Sequence, residues 1–338
     1  MSKKNVLLLC GGGSTEHEIS MVSSKYIAQN IRDIGLYDLI IVEIGAPKSK
    51  DKTFRIIRSQ NNQDGLVVEL NSKAHLIGEN FDKEIHFVVP CIHGPPGETG
   101  EIQSFLEQYN LPYLGCRAEA SQTCFNKITS KLWFSALGIP NTPYAFLTGM
   151  EDLDKAYDLF DREGKLFVKA ASQGSSVGCY QVFNRTDIEK TIKEAFNYSE
   201  YVLIEKMVTA RELEISTYEI DGEIHATVPG EIIVPTKFYS YEEKYSATSK
   251  TETALVAPNL TTEQVEKMRN YAIKTFKGMK LRHLSRIDFF LTDEGEIYLN
   301  EVNTFPGATP ISMFPKMLEN HGHSYKNFIA QIIKNNIK

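Results

Sequence analysis

The segment 286–307, RIDFFLTDEGEIYLNEVNTFPG, constrains the fold of this chain more than any other. Two apolar runs flank the turn sequence Asp-Glu-Gly-Glu, which predicts a β-hairpin with a four-residue loop. In that hairpin Leu291 faces Tyr298 and, counting outward, Asp288 lies directly opposite Glu301. Because two facing carboxylates repel each other and β-strands disfavour them, we expect a positively charged group between them.

Asn303 lies on the same face of the predicted hairpin as Glu301, since side chains alternate along a strand. Asp288, Glu301 and Asn303 offer only hard oxygen ligands, which suit magnesium better than zinc. Arg286, at the edge of this face, suits bidentate contact with a phosphate. The alternative is a surface hairpin with solvated acids. The acids alternate with aromatic and leucine side chains, however, which favours the metal site.

The composition is that of an ordinary globular protein, and 338 residues suffice for two or three domains with hydrophobic cores. The formal net charge of −6, with basic residues spread along the chain, argues against a nucleic-acid partner. The apolar run from Val6 to Cys10 is too short for a secretory signal. No run approaches the ~20 apolar residues of a membrane span, so we expect no membrane partner.

The five cysteines are odd in number, widely separated and never spaced as CxxC. This pattern predicts neither a disulfide framework nor a zinc site. We therefore expect reduced thiols and a cytoplasmic protein. The cysteines are Cys10, Cys91, Cys116, Cys124 and Cys179.

The N-terminal region predicts a buried parallel strand at 5–10, then the turn GGGSTEHEIS, a helix to about Ile31 and a strand at 39–44. This order opens a doubly wound α/β sheet, whose ligands bind at the carboxyl ends of its strands. The dinucleotide fingerprint is incomplete, because Glu16 takes the place of its last glycine. Glu16 lies near the predicted helix N-terminus, which favours a carboxylate. It is either a helix-start acid or a receptor for a substrate ammonium group.

A second strand and turn follow in HFVVPCIHGPPGETG, and a helix and a short strand come next. His93 stands at the end of that strand, beside a glycine-rich turn. Functional residues of α/β proteins concentrate at such positions, although a single histidine is often structural.

A second unit begins after the linker IPNTPY, which follows a helix predicted from about Ser121 to Leu137 that carries Lys127. Strands flank its glycine-rich turn SQGSSVG, so this turn is not a P-loop. Small residues at 174–178 still let backbone amides and hydroxyls surround a phosphate, and Lys169 adds positive charge. A hairpin without a ligand is the alternative. Further on, the polar stretch 235–253 has the length of a lid or binding loop.

Together these segments resemble the D-alanine–D-alanine ligases of the ATP-grasp superfamily, and the resemblance covers essentially the whole chain. The motifs that carry it, in chain order, are GGGSTEHEIS, HGPPGETG, the Lys127 helix, FVKAASQGSSVG, LIEKMVTARELE, FYSYEEKY and RIDFFLTDEGEIYLNEVNTFPGATPIS. The resemblance implies an α/β fold, α+β in part, with three domains. These are a Rossmann-like domain at 1–121, a central subdomain at 122–211 and a C-terminal subdomain at 212–338.

The resemblance also implies contacts to ATP. Lys127 and Lys169 are similar to lysines that contact the phosphates, and the turn 174–178, with Ser175 and Ser176, is similar to the loop that closes over them. The residues implied at the adenine hinge and the ribose are Glu205, Lys206, Val208 and Glu212.

For the metal and the amino acids, the resemblance implies two magnesium ions, which manganese can replace. Their ligands would be Asp288, Glu301 and Asn303. Arg286 and the backbone of Gly307 would stabilise the transferring phosphate and the tetrahedral intermediate. The residues implied at the two D-alanines and the closing lid are Glu16, His93, Ser175, Lys244, Tyr245 and Ser312.

The implied reaction is ATP-dependent joining of two D-alanines through a D-alanyl phosphate, for peptidoglycan precursors, in a cytoplasmic homodimer. A sister ligase for D-lactate or D-serine is the nearest alternative, and the lid sequence FYSYEEKY favours the dipeptide-forming members. A dinucleotide-dependent oxidoreductase would explain the GGGS turn but not the acidic hairpin. A catalytically silent nucleotide-binding protein is disfavoured, because all three metal ligands are present.

Overall fold

The computed structural model of the protein describes residues 3–45, 54–56 (backbone only), 66–233 and 252–337. Three β-sheets follow one another along the chain, and helices cover them. The model thus shows the mixed α/β fold that the sequence predicts.

The first sheet has a parallel centre. Its strands are β1 (Lys4–Gly11), β2 (Tyr37–Ile44), β3 (Phe54–Ile56), β4 (Val67–Leu70), β5 (His75–Gly78), β6 (Phe81–Glu84) and β7 (Phe87–Pro90), in the order β6-β5-β4-β3-β2-β1-β7. Strand β1 pairs in parallel with β2 and β7, as the doubly wound pattern predicts, and its residues 6–10 are at most 2% exposed. The antiparallel strands β3 to β6 were not predicted from the sequence.

Helices α1 (His17–Ile34) and α2 (Glu101–Gln108) follow β1 and β7. The short strand expected after α2 is reduced to an isolated bridge between Val88 and Tyr113.

The helix predicted as one piece from Ser121 to Leu137 is two helices, α3 (Ala118–Phe125) and α4 (Lys127–Ala136). The single-helix prediction was therefore wrong. Asn126 between them has extended backbone, and its side chain accepts hydrogen bonds from the N–H groups of Ile128 and Thr129. This N-cap begins a new helix at Lys127 and fixes the direction in which that lysine points.

The second sheet is antiparallel. Its strands are β8 (Tyr144–Leu147), β9 (Leu166–Ala170), β10 (Cys179–Val182) and β11 (Val202–Lys206), in the order β10-β9-β11-β8. Helices α5 (Leu153–Glu163) and α6 (Ile188–Phe196) pack against it around a common apolar core. The glycine-rich turn connects β9 to β10 as a hairpin, as predicted.

The third sheet carries the acidic hairpin. Its strands are β12 (Ala210–Ile220), β13 (Glu223–Ala226), β14 (Gly230–Ile233), β15 (Glu252–Ala254), β16 (Leu284–Thr292) and β17 (Ile297–Asn303). Helix α7 (Thr262–Gly278) begins with a capping box formed by Thr261 and Gln264. Helix α8 (Met313–Asn320), which was not predicted, and helix α9 (Tyr325–Asn336) end the chain's described part. The side chains of α8 and α9 share one apolar core with β1, β7 and α1.

The hairpin confirms one half of the predicted register and corrects the other. Asp288 lies opposite Glu301, as predicted, but Leu291 pairs with Ile297 and not with Tyr298. The register shifts at Asn300, the extra residue of a β-bulge. The turn is one residue tighter than expected, and the bulge restores the predicted pairing further out.

Among the residues that the structure describes, no helix is long and apolar enough to cross a membrane. The five cysteines are free thiols, and four of them are buried. Burial raises the pKa of Cys10 to about 12.

Candidate active site

Glu16 and His93 lie at one edge of the first sheet. Glu16 precedes α1 and His93 follows β7, and because β1 and β7 are adjacent and parallel, their carboxyl ends meet. The Ser14 hydroxyl donates to the His93 carbonyl oxygen at 2.8 Å and so ties the two turns together. Glu16 is the N-cap residue of α1, but its side chain does not cap the helix. The carboxylate therefore makes its contacts beyond the helix.

His93 is 5% exposed, and its Nε2 lies 3.0 Å from the Ser23 hydroxyl. Burial lowers the pKa of His93, which keeps the imidazole neutral near pH 7, while the charge of Glu16 acts in the opposite direction. The His93 ring contacts Phe305, which follows the acidic hairpin, with 6.2 Å between ring centroids. The N-terminal turn and the C-terminal hairpin thus meet at His93.

The glycine-rich turn also reaches this place. The Ser175 hydroxyl donates to Glu16 Oε1 at 2.6 Å, a contact between residues 159 positions apart. Ser175 and Ser176 have φ angles of 51° and 60°, a left-handed backbone that is costly for residues other than glycine. Strained backbone of this kind concentrates at ligand-binding loops.

Lys127 is attached to the same turn. Its backbone N–H donates to the carbonyl of Ala171, and its Nζ donates to the carbonyl of Gln173 at 2.6 Å. The start of α4 and the glycine-rich turn therefore form one surface with several N–H groups and one ammonium group. Such a surface is suited to an anion.

Glu205 lies between two lysines, a group that we call the lysine cluster (Lys131, Lys169, Glu205). Glu205 Oε1 is 2.6 Å from Lys131 Nζ, and Oε2 is 2.6 Å from Lys169 Nζ. Burial alone would raise the pKa of Glu205, but the two lysines outweigh it and hold that pKa well below its usual range. Burial also acts to lower the pKa of Lys169, and here Glu205 dominates, so the pKa is raised.

The other residues expected near the nucleotide lie close by. Lys206, next to Glu205 on β11, makes an ion pair with Glu163 at 3.2 Å. Val208 is half-buried in the short connection between β11 and β12. Glu212 lies on β12, where it pairs with Phe290 of the hairpin strand.

The hairpin residues form a second charged group, which we call the arginine cluster (Glu214, Arg286, Asp288, Glu301). Glu214, Asp288 and Glu301 are direct partners across three adjacent strands, so one row on the sheet holds three carboxylates. Arg286 binds both oxygens of Asp288, at 2.8 and 2.7 Å, and lies 3.2 Å from Glu214. Arg286 thus supplies positive charge beside Asp288 and Glu214, whereas the cation that the sequence predicts between Asp288 and Glu301 stays a prediction.

Asn303 lies directly opposite Arg286, and its side-chain amide donates to Asp288 at 2.9 Å. Asp288, Glu301 and Asn303 therefore share one face, as predicted, and they fit a hard cation by donor type. In the described part of the chain, no group of three or more His, Cys, Asp or Glu side chains surrounds a common metal position. The predicted set has two carboxylates and one amide.

Lys169 connects the two clusters. Its Nζ lies 3.3 Å from the side-chain oxygen of Asn300, the bulge residue beside Glu301. The bulge thus brings the Asn300 side chain of the hairpin to Lys169, the lysine for which the sequence predicts a phosphate contact.

Ser312 and Gly307 are also neighbours. A Cβ atom on Gly307 would lie 3.1 Å from the Ser312 hydroxyl, which is a tight contact. The Ser312 hydroxyl accepts a hydrogen bond from the Thr309 N–H at 3.0 Å. Ser312 precedes α8, so its hydroxyl and the helix start face the same loop. Lys244 and Tyr245, together with all but the last two residues of the expected lid, lie outside the described residues.

Sequence reasoning missed three charged residues of this site. Lys131 and Glu214 were detectable: Lys131 is four residues after Lys127 on the same helix, and Glu214 alternates with Glu212 on one strand face. Glu98 belongs to the HGPPGETG motif, and its carboxylate accepts a hydrogen bond from the Gly94 N–H at 2.7 Å. Burial raises the pKa of Glu98 to about 8, and the charge of Glu16 adds to this.

Comparisons with known proteins identify the family of the chain. The family profile described as "D-ala D-ala ligase N-terminus" matches residues 5–116, and "D-ala D-ala ligase C-terminus" matches residues 133–334. A D-alanine–D-alanine ligase of Shewanella piezotolerans is 52% identical over 98% of this chain and 99% of its own length. The structure of D-alanyl-alanine synthetase A from Vibrio cholerae superposes with a TM-score of 0.91 at 53% identity, covering 99% of both chains.

A D-Ala:D-Ser ligase from Enterococcus faecalis superposes with a TM-score of 0.88 over 99% of this chain and 100% of its own, but at 24% identity it shares only the fold. The three sheets and the match to the solved Vibrio cholerae synthetase define an ATP-grasp ligase. More narrowly, the chain belongs to the D-alanine–D-alanine ligase family. Family membership sets aside the oxidoreductase interpretation.

Proposed function

We propose that the cleft joins two D-alanine molecules to D-alanyl-D-alanine at the expense of ATP, for peptidoglycan precursors. The observation that carries this proposal is the position of Lys169, which contacts Glu205 on one side and Asn300 of the acidic hairpin on the other. A triphosphate there would meet positive charge on one side and a cation-binding face on the other. The first step is attack of the first D-alanine carboxylate on the γ-phosphate, which yields a D-alanyl phosphate and ADP.

The chain's own residues support each part of this reaction. Glu16 would bind the ammonium group of the first D-alanine; its support is its position at the carboxyl ends of β1 and β7, where Ser175 donates a hydrogen bond to its carboxylate. Arg286 would offset the charge that builds up on the transferring phosphate, a large term in phosphoryl transfer. Lys127, Lys169, Ser175 and Ser176 would hold the phosphates.

In the second step the amine of the second D-alanine attacks the acyl carbon, and phosphate leaves. The Gly307 backbone and Ser312 would bind the tetrahedral oxyanion and the second carboxylate, respectively. Acyl phosphates hydrolyse readily, so the site must exclude water. We assign that role to the lid at 235–253, with Lys244 and Tyr245 contacting the substrates.

Two magnesium ions, replaceable by manganese, would be held by Asp288, Glu301 and Asn303, whose oxygen donors suit such a cation. When bound, they supply positive charge that neutralises the phosphate oxygens. We further propose the domain boundaries 1–121, 122–211 and 212–338, a cytoplasmic location and a homodimer. Sedimentation of the purified protein would test the homodimer, since a single species of about 38 kDa would contradict it.

The activity is tested by phosphate release from ATP and magnesium in the presence of D-alanine, L-alanine, or D-alanine mixed with D-lactate or D-serine. The product is identified by mass. We expect phosphate release matched by D-alanyl-D-alanine wherever D-alanine is present, and no product from L-alanine. A depsipeptide or a D-alanyl-D-serine product would assign the chain to a sister ligase, and no D-alanine-dependent phosphate release would overturn the proposal.

A further inference from the structure

Lys131 is a buried cation for which the reaction described above has no role. It is 1% exposed, and lysine side chains are seldom buried so completely unless they are paired. Besides Glu205, its Nζ contacts the Thr142 hydroxyl at 2.9 Å, the Thr142 carbonyl at 3.3 Å and the Asn141 side-chain oxygen at 3.3 Å. These contacts hold the ammonium group in one place, out of reach of a bound ligand.

Each Glu205 oxygen is assigned to a different lysine. Oε1 faces Lys131 and also accepts a hydrogen bond from the Thr142 hydroxyl at 2.5 Å, whereas Oε2 faces Lys169. Lys169 is 12% exposed at its side chain, while Lys131 is enclosed. Of the two lysines, therefore, only Lys169 can turn towards a ligand in the cleft.

A competition follows from this geometry. A phosphate that binds Lys169 must compete with Glu205 for the same ammonium group, and inside a protein such attraction is strong. With Lys131 present, the charge of Glu205 is shared between two cations. Without Lys131, the whole carboxylate charge would act on Lys169 and hold it away from the phosphate.

We propose that Lys131 is a positioning residue for nucleotide binding: it anchors Glu205 and shares its charge, so that Lys169 remains available to the ATP phosphates. The inference rests on the proposed function, because it needs ATP in the cleft. It differs from a packing role, in which Lys131 would only fill the space between α4 and β11. A packing role would affect folding but would not distinguish phosphate from adenine.

The test compares the wild-type protein with Lys131→Met. Calorimetry measures the affinity of each protein for ATP with magnesium, and displacement calorimetry measures the affinity of each for adenosine. Methionine keeps most of the side-chain length without the charge. We expect the Kd for ATP to rise about tenfold and the Kd for adenosine to rise much less, since adenosine lacks the phosphates. The ratio of the two Kd values is the diagnostic quantity.

A second variant separates charge sharing from packing. In Lys131→Met/Glu205→Gln, no carboxylate competes for Lys169, so the ratio of the Kd values should return towards the wild-type ratio. Any contact of Glu205 with adenine cancels in the ratio. Lys193→Met removes an exposed lysine with an ion pair to Glu189 in the same part of the chain, and it should leave both Kd values unchanged.

Each outcome decides between the alternatives. An unchanged ratio in Lys131→Met, or a ratio that Glu205→Gln does not restore, overturns the inference and leaves Lys131 a packing residue. A wild-type protein that does not bind ATP at all overturns the proposed function together with this inference. The two failures are therefore distinguishable.

Discussion

The lysine cluster and the arginine cluster are connected by the contact between Lys169 and Asn300, and they have opposite charge balances. In the lysine cluster, two ammonium groups share the single carboxylate of Glu205. In the arginine cluster, one guanidinium lies beside a row of three carboxylates. The first therefore has positive charge in excess and the second negative charge in excess.

The difference teaches how one cleft can accept both a phosphate chain and a divalent cation. Buried charges are costly unless they are paired, and each cluster is paired internally but not neutral. A ligand of opposite sign beside each cluster would offset its remaining charge. The predictions below test whether this division of charge is real.

The largest effect is expected from Glu301→Gln, which removes one negative charge from the arginine cluster. We expect turnover to fall about 10³-fold, because the cation that offsets phosphate charge would be lost. Phosphate release at increasing magnesium concentrations measures this, and high magnesium should restore part of the activity. The melting temperature should change by less than ~4 °C, since Glu301 is partly exposed and its side chain does not belong to the apolar core.

The matched control for Glu301→Gln is Asp293→Asn, the same change of charge in the exposed loop of the same hairpin. Its activity should equal that of the wild type. Near-wild-type turnover of Glu301→Gln with unchanged melting would remove Glu301 from the metal ligands.

Lys169→Met tests the opposite cluster. We expect kcat/KM for ATP to fall about 10²-fold, because the ammonium group nearest the phosphates would be lost. Steady-state kinetics with ATP as the varied substrate measures the loss. Lys165→Met, an exposed lysine just before the same strand, is the control and should behave as wild type. Equal losses in both variants would argue against a specific phosphate contact.

The proposed function assigns Ser175 to the D-alanine side of the glycine-rich turn and Ser176 to the ATP side. Ser175→Ala removes a 2.6 Å hydrogen bond to the Glu16 carboxylate, so the KM for D-alanine should rise about tenfold. Ser176→Ala should instead raise the KM for ATP. Alanine fits the left-handed backbone no worse than serine, so the two variants are controls for each other. A rise of the same KM in both would contradict the division.

The smallest effect concerns stability in acid and involves neither cluster. Burial lowers the pKa of His283 to about 3, and its Nδ1 accepts a hydrogen bond from the Gly115 N–H at 3.1 Å. The unfolded chain, with a histidine pKa near ~6.5, takes up this proton first. The contribution of His283 to stability is therefore complete above ~pH 6.5 and is lost as the pH falls towards 3.

His283→Asn should remove this dependence, and asparagine tolerates the φ of 65° at this position. Between pH 7 and pH 5 the wild type should lose about 2 kcal/mol more unfolding free energy than the variant. Urea unfolding at both pH values measures the difference. Equal losses would shift the cause of acid instability to other groups. Glu205 contributes little between these pH values, because an unfolded glutamate takes up its proton only near pH ~4.3.

Much of the fold could be predicted because local patterns and tertiary structure agree. Each of three segments has one dominant hydrophobic periodicity: strand β1, the helix that follows it, and the paired apolar runs of the hairpin. Helix α4 could not be predicted as a separate helix, because the break at Asn126 interrupts a pattern that reads as continuous. The strands β3 to β6 were missed since strands of only three or four residues carry little periodicity.

The candidate site was predictable in its members more than in its pairings. The sequence places Asp288 opposite Glu301 by counting along two strands, and this pairing is confirmed. It places neither Lys131 nor Glu214, whose partners lie 74 and 72 residues away along the chain at Glu205 and Arg286. Contacts between residues so far apart in the sequence depend on how sheets and helices pack. The hydrophobic periodicity of the sequence does not predict this packing.

The sequence by itself determined which segments carry candidate functional residues, because residue type and local spacing suffice for this. These segments are the acidic hairpin, the glycine-rich turn, and the turns that contain Glu16 and His93. Only the tertiary structure decided which charges meet. It brings Ser175 to Glu16, Lys169 to Asn300 and Lys131 to Glu205, each from a different element. The physical reason is that electrostatic attraction depends on distance in space and on burial, and folding sets both.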